Sequence, residues 1–160
     1  MSLIQFAIKM EKDGEAYYEK QVEQFKGQPI ARVFGFLAEA ERKHAALLAS
    51  CDAGQPVEYE DPALNKARHV FSDLKNYRVD ETAAPRQLEV YRYAMEIEQK
   101  SIDLYRKLRT DSGQDAQREL LDFLVEQEED HYALFEQLTE LVERPEAWVE
   151  DAEFGQREDY

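Results

Sequence analysis

The sequence predicts an all-α bundle of four long helices, arranged as two helical hairpins with one long crossover between helices two and three. Three observations carry that expectation. Apolar residues recur at three-to-four spacing through four stretches, without the alternation of a strand. Glycine (6) and proline (5) are scarce in the 160 residues, and FKGQP, CDAGQP, Pro85, TDSGQD and Pro145 punctuate those stretches. The connections are unequal: a few residues within each pair of stretches, but the whole of 51–85 between the pairs.

Residues 3–25 place Ile4, Ala7, Glu11, Tyr18, Val22 and Phe25 on one stripe, and FKGQP (25–29) ends that helix. Pro29 suits the first turn of the next one, which runs to about Ser50 with Val33, Leu37, Ala40, His44 and Leu48 inward and is closed by CDAGQP. The third helix begins after Pro85, carries Leu88, Tyr91, Ala94, Met95, Ile102, Tyr105 and Leu108, and stops at TDSGQD (110–115). The fourth carries Leu120, Leu121, Leu124, His131, Phe135, Leu138, Leu141 and Val142, and Pro145 terminates it. Each helix is roughly 23–28 residues, or about 35–40 Å. Short connections make antiparallel hairpins of 2–50 and 86–144, and the crossover 51–85 is long enough to travel the bundle, with a short helix of its own around Pro62–Leu74. A four-helix bundle with one long crossover is the ferritin-like arrangement. The bundle is expected to fill residues 1–145, followed by an acidic tail, 146–160, that carries Trp148 and Phe154 and is either frayed or docked on a neighbour.

Asp and Glu number 35 against 20 Lys and Arg, a formal charge of −15, with 43% hydrophobic residues to build a core. A surface this acidic repels phosphate and anionic lipid, which argues against nucleic-acid and membrane partners. Lys9 and Glu11 interrupt the opening MSLIQFAIKM before it could serve as a signal-peptide core, so a cytoplasmic location is expected. The single cysteine, Cys51, excludes an internal disulfide, a CxxC redox pair and a four-thiolate metal site, and reads as a bland residue at a helix end.

The two hairpins repeat at an offset of 87 residues. AIKMEKDGEAYYEK (7–20) lies over AMEIEQKSIDLYRK (94–107), keeping Ala7/Ala94, Glu11/Glu98 and Tyr18/Tyr105. FLAEAERKHAAL (36–47) lies over FLVEQEEDHYAL (123–134), keeping Glu39/Glu126, Glu41/Glu128 and His44/His131. Two copies of one hairpin should pack about an approximate twofold axis, where shared residues converge.

The shared residues are chemically odd for a bundle interior. Glu11 and Glu98 fall on the inner stripes of the first and third helices; Glu41 lies one turn from His44, and Glu128 one turn from His131. Four carboxylates and two imidazoles would meet without a basic residue, since Lys9, Lys12, Arg42 and Lys43 lie off the stripes. Isolated buried carboxylates cost several kcal/mol and like charges cannot all stay ionised without a cation, so the expected solution is metal. One Glu from each of two helices plus Glu-x-x-His from the other two is the donor set of di-iron and di-manganese bundles. Two ferrous ions balance four carboxylates, and the absence of thiolates favours iron or manganese, or a mixed pair, over zinc-finger or iron–sulfur chemistry. A single Glu-x-x-His on an acidic helix is commonplace; two copies at one offset, each following an inward Glu, are not.

The remaining candidates divide. His69, in the crossover, has no partner in the pattern and reads as solvated or locally bonded; Glu39 and Glu126 read as surface residues. Tyr18 and Tyr105 each follow the inward Glu by two turns and lean back toward its level. They are either core aromatics with satisfied hydroxyls or donors that fix a ligand carboxylate, across the bundle or within it.

On MEKDGEAYY, EAERKH, MEIEQKSIDLY and EQEEDH the chain resembles the rubrerythrin-like branch of the ferritin-like superfamily over about residues 2–144. The resemblance implies a non-haem centre of two iron ions held by Glu11, Glu41, His44, Glu98, Glu128 and His131, with Tyr18 and Tyr105 hydrogen-bonding to ligand carboxylates. It also implies reaction of ferrous iron with hydrogen peroxide or dioxygen, and a homodimer. Full-length rubrerythrins add a rubredoxin-like domain with two thiolate pairs, which one cysteine cannot supply, so electrons would come from an external donor. They also carry a further carboxylate ligand three residues after the third-helix Glu, where this chain has Ser101. The expected function is reduction of peroxide or dioxygen in oxidative-stress protection. The alternatives are a ferroxidase that handles iron, as in bacterioferritin, and a non-catalytic helical interaction module.

Overall fold

Ser2 opens the first helix by a reciprocal cap: its hydroxyl accepts from the Gln5 amide at 3.2 Å, and the Gln5 side chain accepts from the Ser2 amide at 3.1 Å. Helix α1 (Leu3–Gln24) then runs to a turn in which Gly27 takes a φ of 87°, a left-handed conformation that costs glycine nothing. Pro29 stands at the N-cap of α2 (Ile30–Asp52), its ring already fixed at a helical φ of −56°. Gly54, with φ 72°, follows the end of α2. Helices α3 (Ala84–Asp111) and α4 (Asp115–Glu143) are joined by a three-residue turn stapled by Ser112, whose hydroxyl bonds Gln117 at 2.6 Å and whose carbonyl accepts from Arg118 at 2.9 Å. The computed structural model describes residues 1–58 and 84–143, and among these the four helices are the whole of the regular structure.

The expected all-α, ferritin-like bundle is observed. α1 packs along α2 and α3 along α4, and the hairpins meet through α1 with α3 and α2 with α4. Partner numbers give the sense of each contact. Tyr18 reaches Glu98 while Glu11 meets Tyr105, so α1 and α3 run antiparallel. His44 meets Glu128 while Glu41 meets His131, so α2 and α4 do the same. It follows that α2 and α3 are parallel, and the end of one lies at the opposite end of the bundle from the start of the other. That relation is what demands the long crossover.

The core is divided. One apolar cluster joins Tyr18, Phe25, Phe34, Leu37, Tyr91, Phe135 and Leu138; the other joins Ala7, Leu48, Tyr105, Leu108, Leu120, Leu121 and Leu124. Each fully buried Leu or Phe contributes about 1.5–3 kcal/mol of transfer free energy. Along every helix the glutamates and histidines fall between the two clusters, so a polar layer is sealed above and below by hydrocarbon. Surface pairs such as Arg92–Glu143 and Arg106–Glu129 link α3 to α4, but exposed pairs of this kind add little.

Details of the expected stripes shift. Gln21 is buried where Val22 was expected, because three residues beyond Tyr18 is closer to the inner line than four; Val22, Ile4, Leu88 and Met95 are half-buried. α3 begins at Ala84 rather than after Pro85, placing the proline in the first turn, where its missing N–H has no helical partner to lose. The expected short helix at Pro62–Leu74, His69 and the tail 146–160 lie outside the described residues. No helix among the described residues is long and apolar enough to cross a membrane.

Candidate metal centre

Four helices each deliver their repeated residues to the polar layer. Glu11, Glu41, His44, Glu98, Glu128 and His131 are all buried, none more than 3% exposed. No lysine or arginine is buried among the described residues, so among these only the two imidazoles can neutralise the carboxylates. His44 Nδ1 lies 2.9 Å from Glu128 Oε1 and 3.6 Å from Glu11 Oε2. His131 Nδ1 lies 3.6 Å from each of Glu41, Glu98 and Glu128. The imidazoles face one another with ring centres 6.0 Å apart.

These side chains form two overlapping clusters in which one donor atom from each residue lies within 4.8 Å of the others. The first is Glu11, Glu41, His44 and Glu128; the second is Glu41, Glu98, Glu128 and His131. Glu41 and Glu128 belong to both. Five atoms in the layer, Glu11 Oε2, Glu41 Oε1, Glu98 Oε2, Glu128 Oε2 and His131 Nδ1, are buried without a hydrogen-bond partner. Orphaned acceptors of this number are costly in an apolar interior, and a divalent cation satisfies several at once. The donor set therefore fits two metal ions that share two carboxylates.

The electrostatics of the metal-free layer are those of crowded like charges. Burial, and then the charge of Glu128, push Glu41 up to about 7. Burial also works to raise Glu128, but the contacts with His131 and His44 outweigh it and hold Glu128 at about 2. Burial opposes charge on His131, yet its contacts with Glu128 and Glu41 prevail and raise it to about 10. Without metal, then, the layer favours a proton on His131 at neutral pH and holds protons on Glu41 to higher pH than an ordinary carboxylate.

Tyr18 and Tyr105 are hydrogen-bond donors across the bundle. The Tyr18 hydroxyl on α1 donates to Glu98 Oε1 on α3, and the Tyr105 hydroxyl on α3 donates to Glu11 Oε1 on α1. Burial raises both phenols, so they remain protonated donors. Each tyrosine thus serves the other hairpin's glutamate rather than its own. Glu39 and Glu126 lie off the layer as expected: Glu39 pairs with Arg42 and Lys43 at 3.7 Å, and Glu126 is exposed. Cys51 is half-buried at the end of α2.

Two residues near the layer were missed. Gly14 stands so close to Glu41 that a Cβ there would lie 3.4 Å from Oε2. Gln127, 6% exposed, places Oε1 at 3.4 Å from His44 Nε2. Gln127 was legible as the residue one turn after inward Leu124, but a glutamine beside a ligand motif carries little signal alone.

Fold and donor set together define the class, a ferritin-like four-helix bundle whose interior fits a di-metal centre. Comparison with family models matches Rubrerythrin over residues 2–139, and the chain belongs to that family. Comparisons with curated proteins and with solved structures return no match.

Proposed function

We propose that this protein is a non-haem di-iron oxidoreductase that reduces hydrogen peroxide or dioxygen and protects against oxidative stress. Glu11, Glu41, His44 and Glu128 would hold one iron, and Glu41, Glu98, Glu128 and His131 the other. The observation that carries this reading is the sharing of Glu41 and Glu128 between the two clusters, which suits a metal pair rather than two independent ions. When bound, two ferrous ions supply two electrons and Lewis-acid charge for cleaving an O–O bond.

The chain's own residues prepare the site. Tyr18 and Tyr105 hold Glu98 and Glu11 by their Oε1 atoms, leaving the other oxygen of each free for metal. The apolar clusters on both sides exclude bulk water and strengthen every charge interaction between them. Electrons would return from a donor outside this bundle, whose single cysteine cannot build a thiolate relay. A cytoplasmic homodimer is the form in which we expect it to work, by resemblance to the family.

Iron handling is the second reading. Ser101, 3% exposed, occupies the third-helix position where the resembled enzymes carry a further carboxylate, and the remaining donor set is twofold-symmetric as in a ferroxidase. Anaerobic protein loaded with ferrous iron and mixed with peroxide distinguishes the two. Oxidoreductase function requires peroxide consumption much faster than by free iron, with iron retained over repeated cycles. Release of ferric iron after each turnover favours iron handling. Metal binding that is absent, or unchanged in a Glu41→Ala/His44→Ala variant, sinks both and leaves the helical interaction module.

A further inference from the structure

The internal repeat makes the two halves of the metal layer nearly equivalent, and Gln127 breaks the equivalence. Gln127 sits on α4 immediately before Glu128, and its Oε1 lies 3.4 Å from His44 Nε2. An amide oxygen only accepts, so this contact calls for the imidazole proton on Nε2. Nδ1 is the ring atom that faces the carboxylates, 2.9 Å from Glu128 Oε1, a separation at which a proton or a metal ion has to lie between the two atoms. Gln127 is thereby an acceptor that fixes both the tautomer and the ring orientation needed for Nδ1 to bind metal.

At the offset of 87 residues the equivalent of Gln127 is Ala40, on α2 immediately before Glu41. Ala40 is 4% exposed, and its methyl group carries no acceptor for His131. The two histidines differ in step with this. His44 approaches Glu128 to hydrogen-bond distance, whereas His131 Nδ1 stands 3.6 Å from three carboxylates and bonds none of them.

We propose that Gln127 is a positioning residue that makes the two metal positions unequal. The position built on His44, with Glu11, Glu41 and Glu128, is the tight one. The position built on His131, with Glu41, Glu98 and Glu128, is the exchangeable one. This rests on the di-metal reading above and adds which ion stays and which comes and goes.

Anaerobic calorimetric titration of the metal-free protein with cobalt(II), followed in parallel by visible absorption, tests it. The wild type should take up two ions in two separate steps. Gln127→Leu keeps the bulk but not the acceptor, and the first step should weaken by about 10–100-fold, the usual cost of losing a residue that orients a ligand. Gln127→Glu keeps an acceptor oxygen and should retain the tight first step. Helical circular dichroism checks that each variant is folded. A role in packing alone would be preserved in Gln127→Leu, so wild-type affinities in that variant overturn the proposal. Two equal steps in the wild type also overturn it. No cobalt uptake by the wild type is a different result: it removes the di-metal reading itself, and this inference with it.

Discussion

The hydroxyl of Tyr105 on α3 donates to the carboxylate of Glu11 on α1, joining residues 94 apart in the chain. Tyr18 returns the same bond from α1 to Glu98 on α3, across 80 residues. Each hairpin therefore holds the other's glutamate in place. The bonds tie the hairpins together and aim the carboxylates at the same time.

Removing one of these donors should act on both functions. Tyr105→Phe keeps the ring in its apolar cluster but leaves Glu11 without its donor. A hydrogen bond to a charged group is worth about 1.5–3 kcal/mol net, so the melting temperature should fall. Metal affinity should fall about 10–100-fold at the position that uses Glu11, with a smaller effect at the other. Calorimetry with and without cobalt(II) reads both quantities. Tyr18→Phe should mirror the result at the position that uses Glu98.

Shared and unshared carboxylates should behave differently. Glu11→Ala should weaken one binding step, whereas Glu41→Ala should weaken both, since Glu41 belongs to both clusters. In the metal-free state the sign reverses. Taking one carboxylate from a crowded buried set relieves repulsion and desolvation, so Glu41→Ala should be no less stable than wild type without metal. Stoichiometry by elemental analysis, alongside thermal unfolding of metal-free and loaded samples, checks the pair of outcomes.

The metal-free protein should be most stable near pH 5 and lose stability as the pH rises. Glu41 is raised from 4.5 to about 7, so its contribution is full below 4.5 and is lost as pH climbs through 7. His131 is raised from 6.5 to about 10, so its contribution is full below 6.5 and is lost through 10. Glu128 is lowered from 4.5 to about 2, so its contribution is full above 4.5 and is lost as pH falls through 2. Metal displaces the protons on Glu41 and His131, so loading should flatten the fall between pH 5 and 8 and release protons. Scanning calorimetry across pH, and titrations in buffers of different ionisation enthalpy, measure these effects.

Gly14 tests how tightly the layer is packed. It is a mid-helix glycine without a positive φ, and an added Cβ meets Glu41 Oε2 at 3.4 Å, an ordinary contact. Gly14→Ala should therefore stabilise the metal-free protein by about 0.5–1 kcal/mol through the lower backbone entropy of its unfolded chain. Gly14→Val would drive a branched side chain against the Glu41 carboxylate and should lower both stability and metal uptake. Denaturant midpoints for the two variants should move in opposite directions.

Much of the site was legible because it obeys local rules repeated twice. Glu41 and His44 share a face since three residues make nearly one turn, and Glu128 and His131 repeat the arrangement at the same offset. Val22 was expected inward where Gln21 is found, because one residue of phase at a helix end separates an inward from a flanking position. Gln127 was missed because its meaning depends on His44, 83 residues away, which no local pattern encodes. The tyrosines were recognised at the level of the carboxylates, but their choice of the opposite hairpin follows from the antiparallel packing of α1 and α3.

By itself the sequence determined four helices, their pairing by short turns, and an inward set of four glutamates and two histidines with no basic residue on the same stripes. Period and composition suffice for these, because each depends on residues within one or two turns of each other. Only the tertiary structure decided that Glu41 and Glu128 belong to both donor clusters, that Tyr18 bonds Glu98 and Tyr105 bonds Glu11, and that Gln127 meets His44. Those relations join helices whose register is set by the packing of two apolar clusters above and below the layer, and a slip of one turn would exchange every partner.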